Sequence, residues 1–165
     1  MRALIQRTAE CRVEVDGKQV SATGPGILVL LGIAEGDGGD NALYLARKTA
    51  QLRIFEDQDG KMNRSIRQSG GEAMVVSQFT LVADTGKGNR PGFGQAMAPG
   101  PAEALYRMFI SELEGQGIIV STGVFGASMK VTLVNDGPVT FLLESRKLEK
   151  KHVLRAKSEE RRAES

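Results

Sequence analysis

The sequence predicts a mixed α/β domain rich in sheet, and three observations carry that reading. Short apolar runs of strand length recur along the chain, two amphipathic stretches at helical spacing interrupt them, and Gly-Pro and Asp-Gly breakers separate the runs. At 165 residues the chain has a one-domain length, enough to bury most of a single core.

The elements follow in order. Ala3-Leu4-Ile5 and Cys11-Arg12-Val13-Glu14-Val15 read as strands, with Asp16-Gly17 as a hairpin turn. Gly24-Pro25-Gly26 breaks the chain, and Ile27 to Ile33 is apolar enough for a strand buried on both faces. An acidic, Gly-rich loop from Glu35 to Asp40 leads into a helix whose buried stripe is Ala42, Leu45, Ala46 and Thr49. Ala73 to Leu81 reads as a further apolar strand. Pro99-Gly100-Pro101 then opens a second helix, with Leu105, Met108, Phe109 and Leu113 on one face. Ile118 to Thr122 and Met129 to Leu143 close the body as strands, and there is no internal repeat.

Composition narrows the chemistry. The 20 glycines are about 12% of the chain against an average near 7%, which points to tight turns and to close approach of the backbone. No run reaches the roughly 18 apolar residues of a membrane span, and the start lacks the apolar stretch and cleavage site of a signal peptide. One cysteine, Cys11, forbids an internal disulfide, so the cytoplasm is the expected compartment. The single histidine, His152, lies in a charged C-terminal stretch, so a His-based triad or multi-His metal site is not expected within the fold. No metal and no cofactor is expected. Residues 145–165 hold eight Lys/Arg and four Asp/Glu, whereas residues 1–144 hold fourteen and sixteen. The net charge of +2 is thus a basic tail, expected to be flexible, on a slightly acidic body.

Three segments break their own patterns. In Val75-Val76-Ser77-Gln78-Phe79-Thr80-Leu81 an apolar strand takes on three polar side chains just before a long Gly-rich loop, a usual place for a site. Periodicity alone would equally allow a strand whose polar groups satisfy neighbouring backbone. Asn135-Asp136-Gly137-Pro138-Val139-Thr140 sits between two β runs, where proline forces an edge, a bulge or a turn, and a plain hairpin would account for it. Between Leu81 and Pro101, Lys87 and Arg90 stand among glycines and could meet phosphates.

Together the first two segments resemble the motif pair of the D-aminoacyl-tRNA deacylases. The resemblance covers essentially the whole body, from Ala3-Leu4-Ile5-Gln6-Arg7 through Gly60-Lys61-Met62-Asn63, Ala83-Asp84-Thr85 and Glu103-Ala104-Leu105-Tyr106 to Thr140. Two features depart from the family pattern. Gly92 stands before Phe93 where the family pattern has a serine, and the stretch after Glu144 is longer than in the compact bacterial form.

The resemblance implies a three-layer β/β/α mixed-sheet fold over residues 1–144, and a homodimer with two active sites at the subunit interface. It implies hydrolysis of the ester joining a D-amino acid to the 3′-terminal adenosine of tRNA. Ser77, Gln78, Phe79 and Thr80 would form the catalytic segment, with backbone N–H groups of Phe79 and Thr80 holding the oxyanion and Gln78 positioning. Phe125 and Met129 would wall the adenine. Asn135, Gly137 and Pro138 would belong to the substrate side, with Gly137-Pro138 a cis peptide reaching into the partner's pocket and rejecting L side chains. Exclusion by backbone is blind to side-chain identity, so glycyl-tRNA, including tRNA-Ala mischarged with glycine, would also be accepted. A sister deacylase for L-aminoacyl-tRNA lacks the Ser-Gln-Phe-Thr arrangement, and a nucleic-acid adaptor acting through the basic tail would not need the motif pair.

Overall fold

A computed structural model of the chain describes residues 1–145. Strand β1 (Arg2–Val15) turns back into β2 (Lys18–Thr23) through Asp16 and Gly17, whose φ values of 51° and 75° are those of a two-residue hairpin turn. β3 (Gly26–Gly32) pairs antiparallel with the first half of β1, setting Ile5 opposite Val29. Helix α1 (Gly39–Gln51) follows, then a small hairpin of β4 (Arg53–Glu56) and β5 (Met62–Ser65), and the single turn α2 (Ile66–Ser69), capped by Ser65. β6 (Glu72–Ser77) runs parallel to β3 and ends in a 3₁₀ turn, Phe79–Val82. Helix α3 (Pro99–Gly115) leads to β7 (Ile119–Thr122), parallel to β6, and β8 (Lys130–Glu144) closes the body against β1.

The main sheet runs β2-β1-β3-β6-β7, with β8 on the far side of β1. Its central strands are buried on both faces because their side chains alternate between two cores. Ile27, Val29, Leu31, Ala73 and Val75 face α1 and α3, where Leu45, Phe109 and Leu113 are fully buried. Leu28, Met74 and Val76 face the other way, onto Cys11 and Val13 of β1 and onto Met129, Val131 and Leu133. The second half of β1 and the first half of β8 thus fold over the back of β3 and β6 as a second β layer. Ser21 Oγ of β2 donates to the carbonyl of Thr122 in β7 (2.7 Å) and brings the sheet close to a barrel. The result is the β/β/α layering that the resemblance implies. Among the described residues no helix is long and apolar enough to cross a membrane.

Three readings of the sequence need correction. β1 is one strand rather than two: Arg7 and Thr8 are buried within it, and the Arg7 guanidinium finds the carbonyls of Ile54 and Asp136 instead of breaking the strand. The 73–81 strand stops at Ser77, where the chain coils into the 3₁₀ turn. On α3 the buried face is Ala102, Tyr106, Phe109 and Leu113; Tyr106 can go under because its hydroxyl donates to the carbonyl of Val75 (2.9 Å). Met108 is instead 39% exposed, its thioether lying over Gly39 at the start of α1. The basic segment 145–165 lies outside the described residues except for Ser145. That residue is buried, with its N–H donating to the carbonyl of Met1 and its Oγ accepting from Asn41. The packed body therefore includes Ser145.

Candidate active site

The Ser77–Thr80 segment acquires its shape from the strand beside it. Ser77 lies in register with Leu31, and the N–H of Gln78 makes a last ladder bond to the Leu31 carbonyl (2.8 Å). Gly32 follows Leu31, and a Cβ there would stand 2.8 Å from Leu81 Cβ and 3.0 Å from the Gln78 carbonyl. The missing side chain lets the chain fold down onto the strand end. Leu81 N–H then donates to the Gln78 carbonyl and Ala83 N–H to the Thr80 carbonyl, both at 3.2 Å.

A turn that begins its bonding at Leu81 leaves the N–H groups of Phe79 and Thr80 ahead of its first internal hydrogen bond. These two neighbouring donors lie on exposed residues, while Val82 anchors the turn in the core. Arg2 Nη1 donates to the Leu81 carbonyl (2.7 Å), a charge-assisted bond that pins the turn's far end. Gln78 Nε2 donates to Thr80 Oγ1. The Phe79 ring meets Phe93 edge-on, with centroids 5.1 Å apart. Phe93 follows a loop closed by paired backbone bonds between Asp84 and Gly92, each 2.8 Å. Around Gly92 the nearest neighbours of an added Cβ are 3.8 and 4.0 Å away, so the position has room for the serine of the family pattern.

Phe125 and Met129 come to the same strand two residues earlier. Gly123 N–H donates to the Val75 carbonyl (3.2 Å), the carbonyl that also takes the Tyr106 hydroxyl. Phe125 tilts against Tyr106 at 5.4 Å, and Met129 lays its sulfur over Gly123. Burial pushes the Tyr106 hydroxyl up to about 12, so it stays a neutral donor. Between α3 and this loop lies a cleft of about 480 Å³, lined by Tyr106, Arg107, Thr122, Val124 and Phe125 among others.

The Asn135–Thr140 motif is a wide bulge in one continuous strand, not a hairpin. Gln6 pairs with Thr140 and Thr8 with Asn135, so residues 136–139 leave the ladder opposite Arg7 alone. Asn135 closes the neck: its Oδ1 accepts from Val139 N–H (2.7 Å), and its Nδ2 donates to the Val139 carbonyl (3.3 Å) and to Thr140 Oγ1 (3.1 Å). The buried Arg7 guanidinium donates to the carbonyls of Asp136 (2.9 Å) and Ile54 (2.8 Å) and faces Glu56. Gly137 has φ +148°, and a Cβ there would stand 2.6 Å from Val139 Cγ2. The Gly137-Pro138 peptide is cis, and both residues are exposed.

The structure therefore gathers Ser77, Gln78, Phe79 and Thr80 at one strand end and sets Phe125 and Met129 beside them. It does not bring Asn135, Gly137 and Pro138 to them within one chain. β3 and β1 stand between β6 and β8, roughly 14 Å across the sheet at ~4.8 Å per strand. Ser77 lies level with Ala3 and the bulge with Arg7, which adds about 13 Å along the strands. Motif reading missed the supporting residues Arg2, Arg7 and Tyr106, whose partners are backbone carbonyls that leave no trace in sequence spacing. Among the described residues no three His, Cys, Asp or Glu side chains gather as a metal site.

Comparison with known proteins places the chain in a family. A D-aminoacyl-tRNA deacylase of Syntrophotalea carbinolica is 55% identical over 148 residues, covering 90% of this chain and 99% of that one. A D-aminoacyl-tRNA deacylase of Cereibacter sphaeroides is 57% identical, covering 88% of this chain and all of the other. A solved structure described as c-Myc DNA unwinding element binding protein superposes with a TM-score of 0.82 at 41% identity, covering 87% of this chain and 98% of its own. The family profile described as D-Tyr-tRNA(Tyr) deacylase matches residues 4–144, nearly the whole described body, and the chain belongs to that family of aminoacyl-tRNA hydrolases.

Proposed function

We propose that this protein hydrolyses the ester of D-aminoacyl-tRNA, freeing the D-amino acid and the tRNA, at sites completed by a second copy of the chain. The observation that carries the reading is the pair of adjacent N–H groups of the exposed Phe79 and Thr80, ahead of the first internal bond of a turn pinned at both ends. Water adds to the ester carbonyl, and the oxyanion that forms lies against those two donors. Collapse breaks the bond to the ribose 3′-oxygen, which leaves with a proton. The neighbouring ribose hydroxyl orients the water and relays that proton, so no imidazole is needed. Thr80 helps through its backbone rather than as a nucleophile, since among the described residues its hydroxyl meets the Gln78 amide, which donates to it and cannot take its proton. Phe125 and Met129 take the terminal adenine. Residues 1–144 carry this chemistry.

Chirality is read by the bulge of the second copy. Its backbone carbonyls accept from the substrate's ammonium group, and an L side chain would strike Gly137 and Pro138 where a D side chain points to open space. A bulge braced by Asn135 and Arg7 suits exclusion because it does not yield. Glycyl-tRNA, including that mischarged on tRNA-Ala, passes the same test. A C2 dimer supplies the bulge, and β8 offers apolar surface for it in Val134, Phe141 and Leu142, which are 49%, 38% and 53% exposed. The basic residues after Ser145 add charge for RNA rather than chemistry. The enzyme works in the cytoplasm, where aminoacyl-tRNA is used, without a metal.

Incubation with D-Tyr-tRNA, L-Tyr-tRNA and Gly-tRNA is the direct test. The D and glycyl esters should be cleaved and the L ester spared. Equal rates on D and L substrates would refute the chirality reading, and inactivity on all three would refute the enzyme reading.

A further inference from the structure

We propose that residues 84–92 form a phosphate-binding finger, in which Lys87 and Arg90 take backbone phosphates of the RNA strand that leads to the ester. This rests on the reading of the site as an aminoacyl-tRNA hydrolase and adds where the RNA backbone runs. The finger starts two residues past the 3₁₀ turn and is held beside it at two points. Its base is closed by the Asp84–Gly92 backbone pair, and Phe93 seats it against Phe79, the residue that supplies one of the two oxyanion donors.

Its tip has the properties of an anion contact. Residues 84–92 are all exposed, and among them Gly86, Gly88 and Gly92 leave the backbone open. Gly88, at φ +70°, makes the tight turn between the two cations. Neither Lys87 nor Arg90 has an ion-pair partner among the described residues, which is equally true of Lys18, Lys61 and Arg67; what sets these two apart is their place on the loop that packs against Phe79. The one acidic side chain of the finger, Asp84, is held to the finger's own backbone, its Oδ1 accepting from Gly86 N–H (2.9 Å). Among the described residues neither cation has a hydrogen bond or ion pair that ties it into the fold, and both are exposed on a body with more acidic than basic residues. The loop that carries them packs against Phe79, next to Thr80, and lysine and arginine are the side chains that neutralise phosphates.

The test compares two substrates that share the ester and differ in phosphate. D-Tyr-tRNA carries the RNA backbone; D-tyrosyl-adenosine carries none. Wild type, Lys87→Ala, Arg90→Ala and the double variant are assayed on both, across a range of KCl concentrations. For the double variant the KM for D-Tyr-tRNA should rise about tenfold with kcat within twofold, and the slope of log kcat/KM against log salt should flatten by about 1.5. Its hydrolysis of D-tyrosyl-adenosine should be unchanged, and the Lys87→Arg variant should behave as wild type. An unchanged KM and salt slope would overturn the finger while leaving the deacylase intact. An equal loss on D-tyrosyl-adenosine would overturn it too, by showing that the residues shape the ester site itself. Wild type inactive on both substrates would overturn the underlying reading of the site.

Discussion

The Ser77–Val82 turn and the Asn135–Thr140 bulge both interrupt apolar strands with polar residues, yet they treat their hydrogen-bonding groups in opposite ways. The turn keeps two N–H groups, on exposed residues, ahead of its own bonding pattern. The bulge engages its groups with one another and with the body: both amide hydrogens of Asn135 and its oxygen are bonded to Val139 and Thr140, and the Asp136 carbonyl takes Arg7. A reacting centre needs unsatisfied donors aimed at developing charge; a stereochemical barrier needs a backbone that cannot move aside. The same sequence device, a polar break in a β run, serves both ends according to which groups the fold leaves open.

If that division holds, the largest effect should come from disturbing the barrier. Gly137→Ala places a Cβ 2.6 Å from Val139 Cγ2 and 2.8 Å from its N, at a φ that L residues rarely adopt. The bulge must shift, and kcat/KM on D-Tyr-tRNA should fall on the order of 100-fold, as for an ångström-scale misplacement. Circular dichroism should show the fold intact, since the site is exposed; a loss below threefold would show that the bulge takes no part.

Thr80→Ala separates backbone from side chain in the turn. It removes the hydroxyl that accepts from Gln78 Nε2 and keeps the N–H. A lost bond of about 1 kcal/mol corresponds to a rate fall of about fivefold to tenfold. Near-total loss, on the order of 10⁴-fold, together with normal hydrolysis of a 2′-deoxyadenosine-ended substrate, would instead make Thr80 the nucleophile.

Asn135→Ala should register in stability before it registers in chemistry. Three hydrogen bonds at the neck disappear, partly offset by water, so unfolding in urea should show a loss of about 1–2 kcal/mol. Activity should fall by less than for Gly137→Ala; a variant as stable as wild type would show that the neck is not braced as described. The smallest effect belongs to Gly92→Ser. The space around Gly92 admits the side chain, so kcat/KM should stay within about twofold of wild type, and a larger change would mean that the loop is tuned to glycine.

The sequence made much of this legible, and unevenly. Both long helices and the doubly buried strand at Ile27–Leu31 follow from periodicity, because burial imposes the pattern that sequence displays. The end of β6 does not follow. Val75 to Leu81 reads as one apolar run, and what coils it after Ser77 is Gly32, a residue on another strand. β1 likewise reads as two pieces because Arg7 and Thr8 look like a break; the guanidinium is buried only because carbonyls of Ile54 and Asp136, remote in sequence, accept its protons. The site motifs stood out as departures from pattern, whereas Arg2, Arg7 and Tyr106 are tied to the site through long-range backbone contacts that no local spacing records.

Cys11, one of the residues that close the second core, has a practical consequence. It is the chain's only cysteine, it is 2% exposed, and burial pushes its thiol up to about 11. At neutral pH it is neither ionised nor reachable, so alkylating reagents and mild oxidants should pass it by. The natural protein is thus already a silent background for thiol labelling. A cysteine introduced at exposed Asp136 or Asn89 could carry a fluorophore or spin label with no compensating substitution elsewhere. Distances from either label could then be read in the wild-type core.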